Sequence, residues 1–268
     1  MLIRLAPDVG FDFDDHEVEA DGFRAVLCGE AGSGKSHAAA SILGQYLLQG
    51  ERALVLDAHG EYGNLALLAA APGRSELIGY GDGEPRVEDI HIYLAALEAG
   101  ASVFVNLLPW VLVDPLKMNR FVFPLLQAVV ASQNRNPYRL LLLIEETQHF
   151  APRLRTEGDS HKVWIIKGIA TGGRKFGFQT VYCTQRPSLL DATVLAACNV
   201  RVFLRTQDRE DWDAVRKQIP PRLGITFDDD EESGIRYFQS GEAVVLSRWS
   251  PDCRTQLSLP PISPSKRL

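Results

Sequence analysis

Residues 29 to 36 read Gly-Glu-Ala-Gly-Ser-Gly-Lys-Ser, a complete GxxxxGK[ST] pattern between the short apolar run Ala25-Val26-Leu27-Cys28 and an alanine-rich helical stretch. Strand, glycine loop and helix is the context in which this pattern holds phosphate. Glycines can take backbone angles closed to other residues, so several N–H groups turn inward at the positive end of the following helix. The expected nucleotide-binding residues are Gly29, Glu30, Ala31, Gly32, Ser33, Gly34, Lys35, Ser36 and His37. Lys35 is expected to reach the β and γ phosphates of ATP, and Ser36 to place its hydroxyl on Mg²⁺.

Beyond the loop, apolar runs alternate with helical stretches, the signature of an α/β fold with a mostly parallel central sheet flanked by helices. Strands are expected near 23–28, 53–57, 102–107, 140–145, 179–184 and 200–204, and helices over 35–49, 115–133, 161–174, 188–197 and 209–216. Asp114-Pro115 reads as a cap followed by a first-turn proline, and Gly50 closes the helix after the phosphate loop. Residues 1–22 are expected to add a small N-terminal β hairpin to an ATPase core over 23–250. The Gly-, Pro- and acid-rich segment 72–92 reads as an exposed insertion. Residues 251–268, ending Leu259-Pro260-Pro261-Ile262-Ser263-Pro264, read as an extended proline-rich tail.

Composition excludes several classes. At 268 residues and 46% hydrophobic content the chain can bury a full core. No apolar run approaches the ~18 residues of a membrane span, and the N-terminus lacks a signal-peptide pattern, so a cytoplasmic protein without a membrane partner is expected. Cys28, Cys183, Cys198 and Cys253 have no metal-binding spacing and read as reduced thiols. A net charge of −6 gives no basic footprint for a monomer that coats DNA, but leaves room for a ring whose basic residues face inward.

A second acidic site selects among nucleotide-binding proteins. Arg139 to Ile144 is an apolar strand ending in Glu145-Glu146, and ligands of such sheets lie at the carboxyl ends of the strands. Glu145 is assigned to the Mg²⁺ shell and Glu146 to general base. Two further strands end in Asp57-Ala58-His59-Gly60-Glu61-Tyr62 and Thr184-Gln185-Arg186-Pro187-Ser188. Gln185 is the candidate sensor of the γ-phosphate or the lytic water. Pro187 holds Arg186 out of helical angles and makes the exit sharp.

In order along the chain, the phosphate loop, Asp57 to Tyr62, Ile144 to Pro152, Gly173-Arg174-Lys175-Phe176-Gly177 and Thr184 to Ser188 resemble the HerA/FtsK superfamily of hexameric DNA-pumping ATPases, specifically its HerA-like branch. The resemblance covers roughly residues 23 to 210 and implies a RecA-like core. It implies a homohexameric ring with ATP between subunits, Mg²⁺-dependent hydrolysis and translocation of double-stranded DNA. It also implies an arginine reaching the neighbour's nucleotide, for which Arg174 is the best-placed match and Arg186 and Arg205 are alternatives. A nuclease or a capsid portal is the implied protein partner. Because the loop begins at residue 29, a core without the family's N-terminal barrel is expected, similar to viral genome-packaging ATPases of the same superfamily or to a compact mobile-element or defence protein. Without the winged-helix module of FtsK-type pumps, DNA contact should be to the backbone and independent of base sequence. Pore-facing candidates are Arg74 to Arg86, Asn134 to Arg139, Arg153 and Arg155. A nucleotide-gated assembly or signalling ATPase that does not move DNA is the alternative reading.

Overall fold

The computed structural model describes residues 1–68, 75–80, 84–111, 113–154 and 160–258, with no account of the side chains of 160–164. The chain begins with strands β1 (Leu2–Ala6) and β2 (Val9–Asp12), paired antiparallel, and a short helix α1 (His16–Asp21). The core follows as β3 (Arg24–Cys28), α2 (Lys35–Leu48), β4 (Arg52–Asp57), β5 (Ser75–Ile78), α3 (Ile90–Glu98), β6 (Ser102–Asn106), α4 (Leu108–Val111), α5 (Pro115–Arg135) and β7 (Leu140–Ile144). It continues as α6 (Ser160–Gly172), β8 (Phe178–Thr184), α7 (Ala192–Ala197), β9 (Val200–Phe203), α8 (Arg209–Val215), β10 (Glu242–Ser247) and β11 (Cys253–Gln256).

Nine strands form one sheet in the order β11-β10-β9-β3-β8-β7-β4-β6-β5, in which the run from β9 to β5 is parallel and β10 and β11 pair antiparallel at the end. This is the RecA-like P-loop fold with a small antiparallel N-terminal addition. Central strands read as unbroken apolar runs because both of their faces are covered. In β7 the alternation sends Leu140, Leu142 and Ile144 into the layer with α5 and α6, and Leu141 and Leu143 into the layer with α2 and the N-terminal hairpin.

The hairpin docks on α2 through both apolar and polar contacts. Phe13, just after β2, lies 5.9 Å from the ring of Tyr46 on α2, and Gln45 of α2 accepts from the Arg4 amide and donates to its carbonyl, each at 2.9 Å. Helix α5 starts as expected, with Asp114 accepting from the Lys117 amide and Pro115 in the first turn.

The structure departs from the sequence reading at the sheet's edges. Part of the 72–92 segment is not an insertion: Ser75–Ile78 pairs with β6 as the edge strand β5, and α3 starts at Ile90, while residues 72–74 and 81–83 lie outside the described residues. The helix expected over 188–197 is a single-turn 3₁₀ helix (Pro187–Leu189) followed by α7, whose cap is Asp191. Strands β10 and β11 and helices α1 and α3 were not expected. Residues 259–268 of the tail lie outside the described residues.

Gly177 leads into β8 with φ +79, and a Cβ there would come within 2.2 Å of the Tyr138 carbonyl oxygen. Gly177→Ala is expected to cost about 3 kcal/mol in stability, read by chemical denaturation, because strain and overpacking add. Asp114→Ala should cost only about 1 kcal/mol, as loss of a helix cap.

Candidate nucleotide-binding and catalytic site

Parallel register brings five strand ends to one edge of the sheet. Cys28 of β3 pairs with Thr184 of β8, Leu56 of β4 with Ile144 of β7, and Asp57 with Asn106 of β6. The phosphate loop leaves β3 by extending its ladder, as the Gly29 amide donates to the Thr184 carbonyl at 3.2 Å. The loop then caps α2 with Gly34, at φ 100 and without a side-chain bond, so the first amides of that helix are open to an anion. A Cβ on Gly34 would lie 2.9 Å from the Gly241 amide nitrogen, and the Gly241 amide donates to the Ser33 carbonyl at 2.8 Å.

Lys35, Ser36, Glu145 and Glu146 meet at this edge. Lys35 is buried, with Nζ 3.8 Å from Glu146 Oε1, and the Ser36 hydroxyl donates to Glu145 Oε1 at 3.4 Å. Glu145 is fully buried. Its Oε1 also accepts from the Tyr62 hydroxyl, and its Oε2 meets His59 Nδ1, both at 2.9 Å. The other ring nitrogen of His59 lies 3.9 Å from Glu146 Oε1. Asp57 shapes the turn that delivers these two side chains. Its Oδ1 accepts from the amides of His59, Gly60 and Glu61, and its Oδ2 from the Tyr62 amide at 2.8 Å and the Tyr80 hydroxyl at 2.5 Å.

The charge states follow from burial and partners. Burial pushes the Asp57 carboxyl above its ordinary value, against the pull of its hydrogen bonds. Burial would raise Glu145 too, but His59, Lys35 and Tyr62 together hold it below the usual carboxylate range. The hydrogen bond to Glu145 raises His59 against its own partial burial. Burial, aided by the Glu145 charge, pushes the Tyr62 phenol well up, so it remains a donor.

Glu146 is the only non-glycine with positive φ among the described residues, at φ 47 and ψ 47. Its Oε2 accepts from Gln148 Nε2 at 2.5 Å, while its Oε1 is buried with no hydrogen-bond partner. Ser33 Oγ is likewise buried and unpartnered. The open helix amides, the unpartnered Ser33 hydroxyl and the buried lysine fit a phosphate chain, and the Glu146 oxygen without a hydrogen bond fits a water donor beside it. A hydroxyl and a carboxylate are the oxygen donors that Mg²⁺ takes, with phosphate oxygens completing its shell. No group of three or more His, Cys, Asp or Glu among the described residues could hold a metal without such help.

The remaining candidates lie elsewhere. His37 is exposed on the first turn of α2, and its side chain carries no hydrogen bond or ion pair among the described residues. Gln185 lines a small cleft with Glu30, Arg186, Thr206 and Asp211, and its side chain carries no hydrogen bond among the described residues. Arg174 is exposed just before β8, at the end of the strand opposite the phosphate loop, and so stands away from its own chain's site. Arg186 donates to Asp211 at 2.7 Å, and Arg205 is ion-paired with Glu30 of the loop. Arg139 pairs with Glu51 and Asp14, Arg153 is exposed, and Arg155 lies outside the described residues. Tyr62, Tyr80 and Gln148 are site residues that sequence reasoning did not single out. The motif letters around Tyr62 were the available signal.

Fold and site define a P-loop ATPase. Residues 25–103 match the family model described as the central domain of helicase HerA. A 112-residue stretch is 33% identical to the DNA double-strand break repair helicase HerA of Pyrococcus furiosus, covering 41% of this chain and 19% of that protein. A probable helicase of the same description from Methanocaldococcus jannaschii is 31% identical over 107 residues, covering 40% of this chain and 20% of its own length. The match therefore spans about a fifth of these relatives. Among solved structures, VirB4 of Thermoanaerobacter pseudethanolicus superimposes with a TM-score of 0.71 at 10% identity, covering 97% of each chain. The genome packaging NTPase B204 of Sulfolobus turreted icosahedral virus 2, in complex with AMP, gives 0.58 at 14% identity over 87% of this chain and 96% of that one. The chain is thus similar to helicase HerA over residues 25–103, and over most of its length it shares its fold with VirB4 and B204.

The His59–Glu145 contact has a defined pH window. His59 is raised above 6.5, so its contribution is complete below pH 6.5 and is lost as pH rises through the folded value. Glu145 is lowered below 4.5, so its contribution is complete above pH 4.5 and is lost as pH falls through the folded value. The stability difference between wild type and His59→Gln, from denaturation curves at a series of pH values, is expected to be greatest between pH 4.5 and 6.5. Tyr62→Phe, which strips a donor from a buried carboxylate, should cost about 2 kcal/mol at neutral pH.

Proposed function

We propose that this protein hydrolyses ATP with Mg²⁺ and uses the cycle to move double-stranded DNA through a homohexameric ring. The observation that carries the ATPase chemistry is the convergence of Lys35, Ser36, Glu145 and Glu146, which fall on two segments over a hundred residues apart in sequence, at one edge of the sheet. The amides at the start of α2 and the Lys35 ammonium bind the phosphate chain. Ser36 and Glu145 would hold Mg²⁺, which would supply charge neutralisation on the phosphate oxygens. Glu146 takes the proton of the attacking water through its unpartnered Oε1. The water oxygen bonds to the γ-phosphorus as the bond to the β–γ bridging oxygen breaks, leaving ADP and phosphate.

Gln185, at the exit of β8 beside the loop, reports the γ-phosphate in this reading. Arg174, exposed and away from its own site, suits contact with the nucleotide of a neighbouring subunit, where charge builds in the transition state. DNA as the substrate rests on kinship: the relatives are described as a DNA repair helicase, and a structural neighbour as a genome-packaging NTPase. DNA contacts are expected to be to phosphates, and so weakened by salt.

Phosphate release by the purified protein, with and without linear duplex DNA at two salt concentrations, tests the reading. Several-fold stimulation by DNA that fades with salt is expected. Lys35→Ala should abolish hydrolysis, and Glu146→Gln should bind ATP without cleaving it. Hydrolysis that depends on Lys35 but ignores DNA would overturn the translocation step and favour a nucleotide-gated assembly.

A further inference from the structure

Glu146 is held by more than its backbone. In the strained turn after β7, Gln148 is buried and bonded at both ends: its Nε2 donates to Glu146 Oε2 at 2.5 Å, and its Oε1 accepts from the Thr184 hydroxyl at 2.7 Å. Thr184 is the last residue of β8, fully buried, and its carbonyl accepts the Gly29 amide at the mouth of the phosphate loop. The same hydroxyl oxygen accepts the Arg186 amide at 3.1 Å. A side-chain chain thus runs from the phosphate-loop strand pair through Thr184 and Gln148 to one oxygen of Glu146.

This chain resolves an ambiguity in the carboxylate. A glutamate in the left-handed region, two carbons from its backbone, can present either oxygen to the site. The Gln148 amide occupies Oε2 and leaves Oε1 facing Lys35 and His59. Gln148 in turn can donate to Glu146 only while its carbonyl end is fixed, and the Thr184 hydroxyl fixes it.

We propose that Gln148 and Thr184 are positioning residues that aim Glu146 and couple it to the strand carrying the phosphate loop. The inference rests on Glu146 being the general base. It makes the turnover rate sensitive to two hydroxyl and amide groups that touch neither nucleotide nor metal, while nucleotide affinity stays independent of them.

The test uses two near-isosteric variants, Gln148→Met and Thr184→Val, their double variant, and Glu146→Gln as control. Each single variant is expected to lower kcat about ten- to a hundredfold with the Kd for a slowly hydrolysed ATP analogue unchanged. The double variant should be no slower than the worse single one, because both break the same chain. A second readout needs no turnover. In nucleotide-free wild type, the side-chain amide protons of Gln148 should exchange with solvent at least about tenfold more slowly than those of exposed Gln49, and Thr184→Val should remove most of that protection. Unchanged kcat in both single variants, additive losses, a matching loss of analogue affinity, or unprotected Gln148 protons would overturn the proposal. If Glu146→Gln itself still turns over ATP, the general-base reading fails, whereas an inactive Glu146→Gln beside fully active Gln148→Met and Thr184→Val defeats the positioning role alone.

Discussion

A carboxylate with no access to water, Glu145, is the constraint around which this end of the molecule is organised. Charge in such a place is tolerable only when donors face the carboxylate. Here three donors come from two separate elements: Ser36 from the first turn of α2, and His59 and Tyr62 from the turn after β4. Asp57 exists in this arrangement to hold that turn, collecting amides and a phenol around its own buried carboxyl. The alignment of phosphate loop and acidic pair is therefore enforced by electrostatics as well as by strand register.

The neighbouring Glu146 is treated in the opposite way. Its backbone is strained, one oxygen is clamped and the other has no hydrogen-bond partner. Two adjacent residues of one type thus have different fates, one satisfied and one left short. The satisfied member suits a static ligand. The deprived member keeps a reactive lone pair in a dry site, where it is worth more than in water.

How much of this could be read from the amino acids depends on whether the information is local. The phosphate loop is local, since glycines and a lysine at set spacing are themselves the chemistry. The central strands are also local: β3, β7 and β8 are covered on both faces, so their residues form continuous apolar runs. β5 was missed because an edge strand buries little, and in Ser-Glu-Leu-Ile only Ile78 is buried. β11, with no fully buried residue, gave no signal either. Tyr62 reaches Glu145 across 83 positions, and Gln148 acts on Glu146 only because that turn is left-handed. Neither relation has a sequence period.

The junction between Ser33, Gly34 and Gly241 is made by main chain alone, since the closest approach is backbone to backbone and Gly241 itself has φ 82. It joins the antiparallel end of the sheet to the phosphate loop without using a side chain other than hydrogen. Such a joint is indifferent to the chemistry of its surroundings and sensitive only to spacing. Gln239 and Ser240 before it are exposed, and only Gln239 uses its side chain, donating to the Tyr237 carbonyl, so the length of that turn matters more than its composition: one residue more would lift the strand off the loop.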